Sequence, residues 1–133
     1  MGQPAAKAQD LVVGTDIHIV MVPAGPSLVP TPLPHPFSGQ LNGGLVSTVK
    51  IGGQPAAVVG STADNSPAHL ATPPGTSFGK PPANRATVQA GSATVKIGGK
   101  LAARNGDIAL TCNDPADAPV GSVVAVGTVL VGG

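Results

Sequence analysis

The chain has 133 residues and a formal net charge of +1, and only 10% of its residues are charged. This balance gives no electrostatic basis for binding nucleic acid or an anionic membrane surface. Aromatic residues make up 2% of the chain, with no Trp and no Tyr, so it lacks the stacking surfaces that bind bases and sugars. The 19 Gly and 15 Pro residues, together with β-branched runs, predict a turn-rich all-β protein with one domain over residues 1–133.

The predicted core is thin, because Val, Ala and Ile are plentiful but large side chains are scarce. Small domains of this kind usually need a disulfide or a structural metal. Cys112 is the only cysteine, so an intrachain disulfide is impossible and a metal is the alternative. The N-terminus does not resemble a signal peptide, and no apolar run approaches the ~20 residues of a membrane helix, so we expect a soluble protein made in the cytosol.

The first predicted element is one or two strands within residues 1–22, where β-branched residues cluster. Residues 23–44 are predicted to form a loop, because their prolines remove backbone donors and disfavour both helix and central strand. Alternating prolines also stiffen an extended chain, so this loop is expected to hold His35 in place.

A strand, a Gly-Gly turn and a second strand are predicted for residues 45–60, where apolar and polar residues alternate up to Gly52. The same pattern recurs in residues 93–106. The other predicted segments are a Pro-rich excursion over residues 61–92, a third excursion over residues 107–121 with a possible helical turn near 113–118, and a closing strand over residues 123–131.

One sequence unit is written twice in full, as TVKIGGQPAAVVG (48–60) and TVKIGGKLAARNG (94–106). Its front half returns as TVLVGG (128–133), and its back half as GQPAAKAQD (2–10). The two ends of the chain together therefore make a third copy. Since a short repeat cannot bury its apolar face alone, three copies predict a closed object with approximate threefold symmetry.

Each copy is followed by one potential metal ligand at a similar distance. His18 and His69 lie 12 residues after the Ala-Ala pair of their copies, and Cys112 lies 9 residues after its own. Around a threefold axis these positions can converge, with His35 as the fourth ligand. Three imidazoles and a thiolate suit structural Zn²⁺ best, with Fe²⁺ a weaker alternative. Taken singly, each residue is more often a surface histidine or a buried apolar cysteine than a ligand.

No catalytic residues are predicted. Asp64, Ser66 and His69 lie on one loop without a nucleophile-elbow motif, which is a weak basis for a hydrolase. Asp114 and Asp117 are interpreted as turn and cap residues. The chain is therefore predicted not to be an enzyme.

The sequence resembles the PAAR-repeat proteins, which are named for Pro-Ala-Ala-Arg. The copies here read PAAK (4–7), PAAV (55–58) and LAAR (101–104), and the last is followed by NGD (105–107). The TVKIGG unit is similar to the family's strand-and-turn motif, and PLPHPFSG (32–39) is similar to a Pro-x-Pro-His loop of many members. The resemblance covers essentially the whole chain, although none of the copies is a complete Pro-Ala-Ala-Arg.

The resemblance implies a small cone-shaped, pseudo-threefold β-protein that caps a trimeric β-helical spike, one tip per trimer. Such spikes belong to type VI secretion, phage tail-like particles or phage tails. It also implies zinc at His18, His35, His69 and Cys112, and assembly in the cytoplasm before delivery outside or into a target cell. Transient contact with the target membrane and carriage of effector cargo are expected, and nucleic acid is not. The alternatives are a zinc-dependent hydrolase and a metal-free repeat adhesin or decoration protein.

Overall fold

The computed structural model describes residues 2–132, and within them the protein is all-β with no helix. Nothing in that part of the chain can cross a bilayer as a helix. The strands are β1 (Gln3–Pro4), β2 (Leu11–Ala24), β3 (Ser27–Gly43), β4 (Val46–Ile51), β5 (Gln54–Ala56), β6 (Thr62–Asn65), β7 (Ser77–Phe78), β8 (Arg85–Val88), β9 (Lys96–Ile97), β10 (Lys100–Leu101), β11 (Ile108–Thr111), β12 (Ala118–Val124) and β13 (Leu130–Val131).

The three copies of the repeat form three equivalent hairpins. β4 pairs with β5 and β9 pairs with β10, each across the predicted Gly-Gly turn. The third pair is β13 with β1, and it joins the two ends of the chain, with Val131 opposite Gln3. Ile51 opposite Gln54 and Ile97 opposite Lys100 are the matching pairs in the other copies. The two halves of the predicted third copy thus pair with each other, and its last residue, Gly133, lies outside the described residues.

Backbone hydrogen bonds join the three copies in a closed cycle. The amide of Ala6 donates to Ala103 at 2.9 Å, that of Ala57 donates to Ala6 at 3.0 Å, and that of Ala103 donates to Ala57 at 3.0 Å. These alanines occupy the same position of the repeat and are almost fully buried. The cycle, which we call the alanine ring, gives the protein its approximate threefold symmetry.

The seven-stranded sheet above the ring closes on itself. Its order is β12-β11-β8-β6-β3-β2-β7, and β12 also pairs with β2, so six of its strands form a closed antiparallel barrel with β7 added to β2. Phe37 and Leu41 are the largest apolar side chains in the interior, and alanines and valines fill the rest. The core is thin, as the composition predicts.

The predicted loop over residues 23–44 is wrong, because most of it is β3, paired with β2 along its whole length. Gly25 and Pro26 form the two-residue turn between the strands. Counting from that turn, successive backbone amides of β3 point alternately toward β2 and away from it. The even-numbered amides are the ones that point away. Four prolines occupy successive even positions, where a strand needs no donor for its partner: Pro30, Pro32, Pro34 and Pro36.

Two smaller predictions also differ from the structure. The closing segment over residues 123–131 is not one strand, since β12 ends at Val124 and β13 begins at Leu130. Residues 113–118 contain bends and no helical turn.

Candidate metal site

Two predicted ligands lie on the inner faces of the longest strands. The two-residue period of β2 turns Asp16 and His18 to the barrel interior, where each is about 1% exposed or less. His35 lies directly opposite Asp16 in the pairing of β2 with β3, and it is also buried.

The other two predicted ligands arrive from the loops after β6 and β11. His69 is buried in the first of these loops, and Cys112 is the residue directly after β11. The His18 ring centroid lies 5.0 Å from that of His69 and 5.4 Å from that of His35. The structure thus brings together all four residues that the sequence predicts, from three different excursions.

The tightest group of potential ligands includes a residue that the sequence analysis missed. Asp16, His18, His69 and Cys112 each offer a ligand atom, and these atoms all lie within 4.8 Å of one another. Metal–ligand bonds of ~2.0–2.3 Å in a tetrahedron place ligand atoms ~3.3–3.8 Å apart. The ligand atoms therefore need to move only slightly closer together to reach tetrahedral spacing, and this buried cluster can hold a metal ion.

The Asp16 carboxylate is the centre of a buried hydrogen-bond network. One of its oxygens accepts from the Thr111 hydroxyl and from the Asn113 amide, the latter at 3.3 Å. The other accepts from His69 Nε2 at 2.8 Å and from the Cys112 thiol at 3.3 Å. Asp16 thus fixes the orientation of two other candidate ligands.

His69 has a defined tautomer in this network. Its Nδ1 lies 3.2 Å from the Asn65 side-chain nitrogen, which can only donate. Nδ1 is therefore the acceptor, and Nε2 carries the proton that is donated to Asp16. Binding of a metal at Nε2 requires that proton to move to Nδ1, because a neutral imidazole keeps one N–H.

His18 gives the strongest indication that the cluster can bind a metal. Both of its ring nitrogens are buried and neither has a hydrogen-bond partner. The nearest carboxylate oxygens, on Asp114 and Asp16, lie 3.5 Å and 4.0 Å away. Burial lowers the pKa of His18 despite these carboxylates, so the imidazole is neutral and has a lone pair to offer. Since buried polar groups are rarely left unpaired, the ring fits a metal ligand.

His35 stands apart from the other candidates because both of its nitrogens are already satisfied. Nδ1 lies 2.9 Å from the Leu33 carbonyl oxygen and must donate to it. Nε2 therefore accepts from the Thr72 amide at 3.1 Å. Burial lowers the pKa of His35, so the ring is a neutral residue whose only lone pair is engaged. The structure thus places His35 beside the cluster with its lone pair directed at a backbone amide, and its role as a ligand stays a prediction.

Cys112 is a thiol in the metal-free protein. Its burial, followed by the nearby charge of Asp16, raises its pKa to about 11. The thiolate that a metal needs is therefore formed only when a cation arrives to replace the proton.

One sequence signal would have pointed to Asp16. Asp16 and His18 are two residues apart on a predicted strand, so they share a face.

The interpretation of Asp114 as a turn residue was incomplete, because its carboxylate also accepts from the Ile19 amide at 2.8 Å. Ser66 is exposed. The Nδ1 of His69 contacts Asn65 and its Nε2 contacts Asp16, so the hydrogen bonds of this ring are made with residues other than Ser66.

Fold and site together define a class: a small all-β protein with a buried Asp, His and Cys cluster suited to a metal. No protein-family model, curated protein or solved structure matches the chain.

Proposed function

We propose that this protein is a metal-stabilised tip that caps the trimeric β-helical spike of a contractile injection machine. The observation that carries the proposal is the alanine ring, in which three equivalent copies hydrogen-bond head to tail. A surface with this symmetry offers each chain of a threefold spike a similar set of contacts, although the tip itself is a single chain.

The ring end of the molecule supplies the docking face. Its hairpins are short, and they expose matching positions of the three copies, Lys50, Lys96 and Leu130. Short edge strands on the tip can extend the sheets of a β-helical spike by strand addition. The two lysines make the contact sensitive to charge reversal.

The metal site ties the excursions together at the other end of the barrel. Zn²⁺ suits the donor set best, and His18, His69 and Cys112 hold it with Asp16 or His35 as the fourth ligand. A closed set of four protein ligands makes the metal structural. Zn²⁺ supplies cross-linking between three segments that the thin core alone holds weakly.

Spike binding is tested by mixing the purified protein with soluble trimers of β-helical spike proteins and measuring the mass of the complex by light scattering. We expect one chain per trimer. Lys50→Glu combined with Lys96→Glu should weaken binding, whereas Lys80→Glu, on the loop after β7, should not. Failure to bind every trimer tested, or equal binding by the two variants, contradicts the proposal.

A zinc-dependent hydrolase remains the second candidate, because a cleft of about 340 Å³ reaches the site and is lined by His35, Asn65, His69 and Thr72. A hydrolase needs a metal position open to water. Hydroxamate or thiolate inhibitors should therefore perturb the visible spectrum of the Co²⁺-loaded protein. An unchanged spectrum supports the structural site.

A further inference from the structure

The β2–β3 hairpin continues well past the metal site. Between His18 and the turn at Gly25 lie six residues, which span roughly 20 Å of extended chain. The short β7 pairs with Val20 and Met21 in this part, and Asp114 bonds to Ile19 at its inner end. We call residues 19–33 the outer hairpin.

The outer hairpin is apolar and free of formal charge. The sequence contains no Asp, Glu, Lys or Arg from residue 17 to residue 49. Leu28 is 53% exposed and Val29 is 45% exposed, and the nearby Pro23, Pro26 and Pro30 are exposed as well. Ser27 and Thr31 are the only hydroxyl side chains within the outer hairpin.

Along the free edge of β3, Leu28 carries the one outward backbone N–H of the outer hairpin. The outward-facing amides of β3 from residue 30 to residue 36 are all replaced by proline nitrogens. Thr72 also donates its hydroxyl to the outward carbonyl of Pro34 at 2.9 Å.

The outward amides of β2 are likewise satisfied or missing. That of Ile17 donates to the Asn113 side chain at 2.7 Å, and that of Ile19 donates to Asp114 at 2.8 Å. Met21 lies opposite Ser77 of β7, and the next outward position is Pro23. Both edges of the outer hairpin are therefore almost free of unpaired N–H groups.

We propose that the outer hairpin inserts into the hydrocarbon boundary of a lipid bilayer. Hydrocarbon penalises charges and unpaired backbone donors, and this segment lacks the charges and nearly all of the donors. A protein strand, in contrast, would need the amides that the prolines remove, so strand addition to the edge of β3 is blocked. The inference rests on the proposed tip function for its biological setting and names the segment that meets the membrane first.

Tryptophan fluorescence tests the insertion directly, because the chain has no Trp of its own. Val29→Trp places a single reporter on the outer hairpin, and Leu130→Trp places a matched reporter on the ring end, where Leu130 is 60% exposed. With phosphatidylcholine vesicles, the emission of Val29→Trp should move to shorter wavelength and be quenched by brominated acyl chains. Leu130→Trp should show neither change.

Variants and salt separate insertion from surface adhesion. Adding Leu28→Glu to Val29→Trp should weaken partitioning at least about tenfold, because a carboxylate is costly in hydrocarbon. Adding Pro32→Ala should weaken it by less, since it restores one outward donor and changes no charge. Binding should be the same with phosphatidylglycerol present and in high salt, because the segment is uncharged.

Three results would overturn the inference. The emission of Val29→Trp does not shift, that of Leu130→Trp shifts equally, or binding is confined to anionic vesicles at low salt. Circular dichroism and zinc content of each variant establish that it is folded before vesicles are added. Failure of this inference is distinguishable from failure of the tip proposal. If the protein caps trimers but does not insert into vesicles, only the membrane inference is refuted. If it inserts but binds no trimer, only the tip proposal is refuted.

Discussion

Replacing His18 with Leu should have opposite effects on stability with and without metal. In the metal-free protein the imidazole buries one N–H and one lone pair with no partner. Each unpaired buried group costs about 1–3 kcal/mol. Leu has a similar volume and no polar atom, but it loses the edge-on contact that the His18 ring makes with Phe78, which should offset part of the gain. We therefore expect the metal-free variant to be more stable by about 1–3 kcal/mol, which for a chain of this length raises Tm by roughly 3–9 °C.

In the presence of zinc, the wild type should be more stable than His18→Leu. A free zinc concentration a thousand times the dissociation constant stabilises the wild type by about 4 kcal/mol. The variant lacks a ligand and should gain almost nothing. The assay is thermal unfolding followed by circular dichroism, in chelator and in buffered zinc, with metal content measured on the same samples.

His35→Leu is the matched control, because its ring nitrogens bond to Leu33 and Thr72. It should be destabilised by about 1–3 kcal/mol in chelator, since it leaves two backbone groups unpaired. It should still respond to zinc if Asp16 is the fourth ligand, and lose that response if His35 is. Our interpretation of the site is refuted if His18→Leu is destabilised in chelator and keeps its zinc response, because His18 is then a structural polar residue.

Three further outcomes follow from the site and the ring. Because the pKa of Cys112 is about 11, zinc binding near pH 8 should release about one thiol proton, and affinity should fall as pH falls. Calorimetry in buffers of different ionisation heat measures the release, and Cys112→Ala should release one proton fewer. Ser61→Ala should cost about 1–3 kcal/mol in urea unfolding, because the buried hydroxyl accepts from Val58 and donates to Gly44, each at 2.9 Å; no change in midpoint would contradict this. Ala57→Leu should cost about 1–3 kcal/mol or more by overpacking the ring, and a wild-type midpoint would show that the ring can expand.

The alanine ring was predictable because the sequence unit that forms it is repeated along the chain. TVKIGG combines two-residue alternation with a Gly-Gly turn, and both properties are local. The split copy at the two ends then specifies closure without any knowledge of side-chain contacts.

The long hairpin was not predictable from proline content alone. Prolines exclude a central strand only where the partner needs their donors, and the register of β3 places them all on its outer edge. Register depends on the two-residue turn at Gly25 and on the buried face of β2, which are set by the whole fold rather than by the local sequence.

The site was predictable in location and not in detail. The spacing of His18, His69 and Cys112 after each copy indicates that they converge, and they do. The spacing carries no information on hydrogen bonds, and these decide that Asp16 joins the cluster while the lone pair of His35 is taken by Thr72. Proton positions follow from contacts between distant segments, which a single sequence does not display.

The pairing of β1 with β13 has a consequence for how the molecule is made. A ribosome delivers Gln3 about 130 residues before Val131, so this third hairpin forms only after the other two copies have been synthesised. The Gly-Gly turns after Ile51 and Ile97 are the counterparts of this junction in the other copies. A circular permutant opened at either turn, with its old ends linked, should fold to the same barrel. The three hairpins would then be interchangeable as the place where the covalent backbone is interrupted.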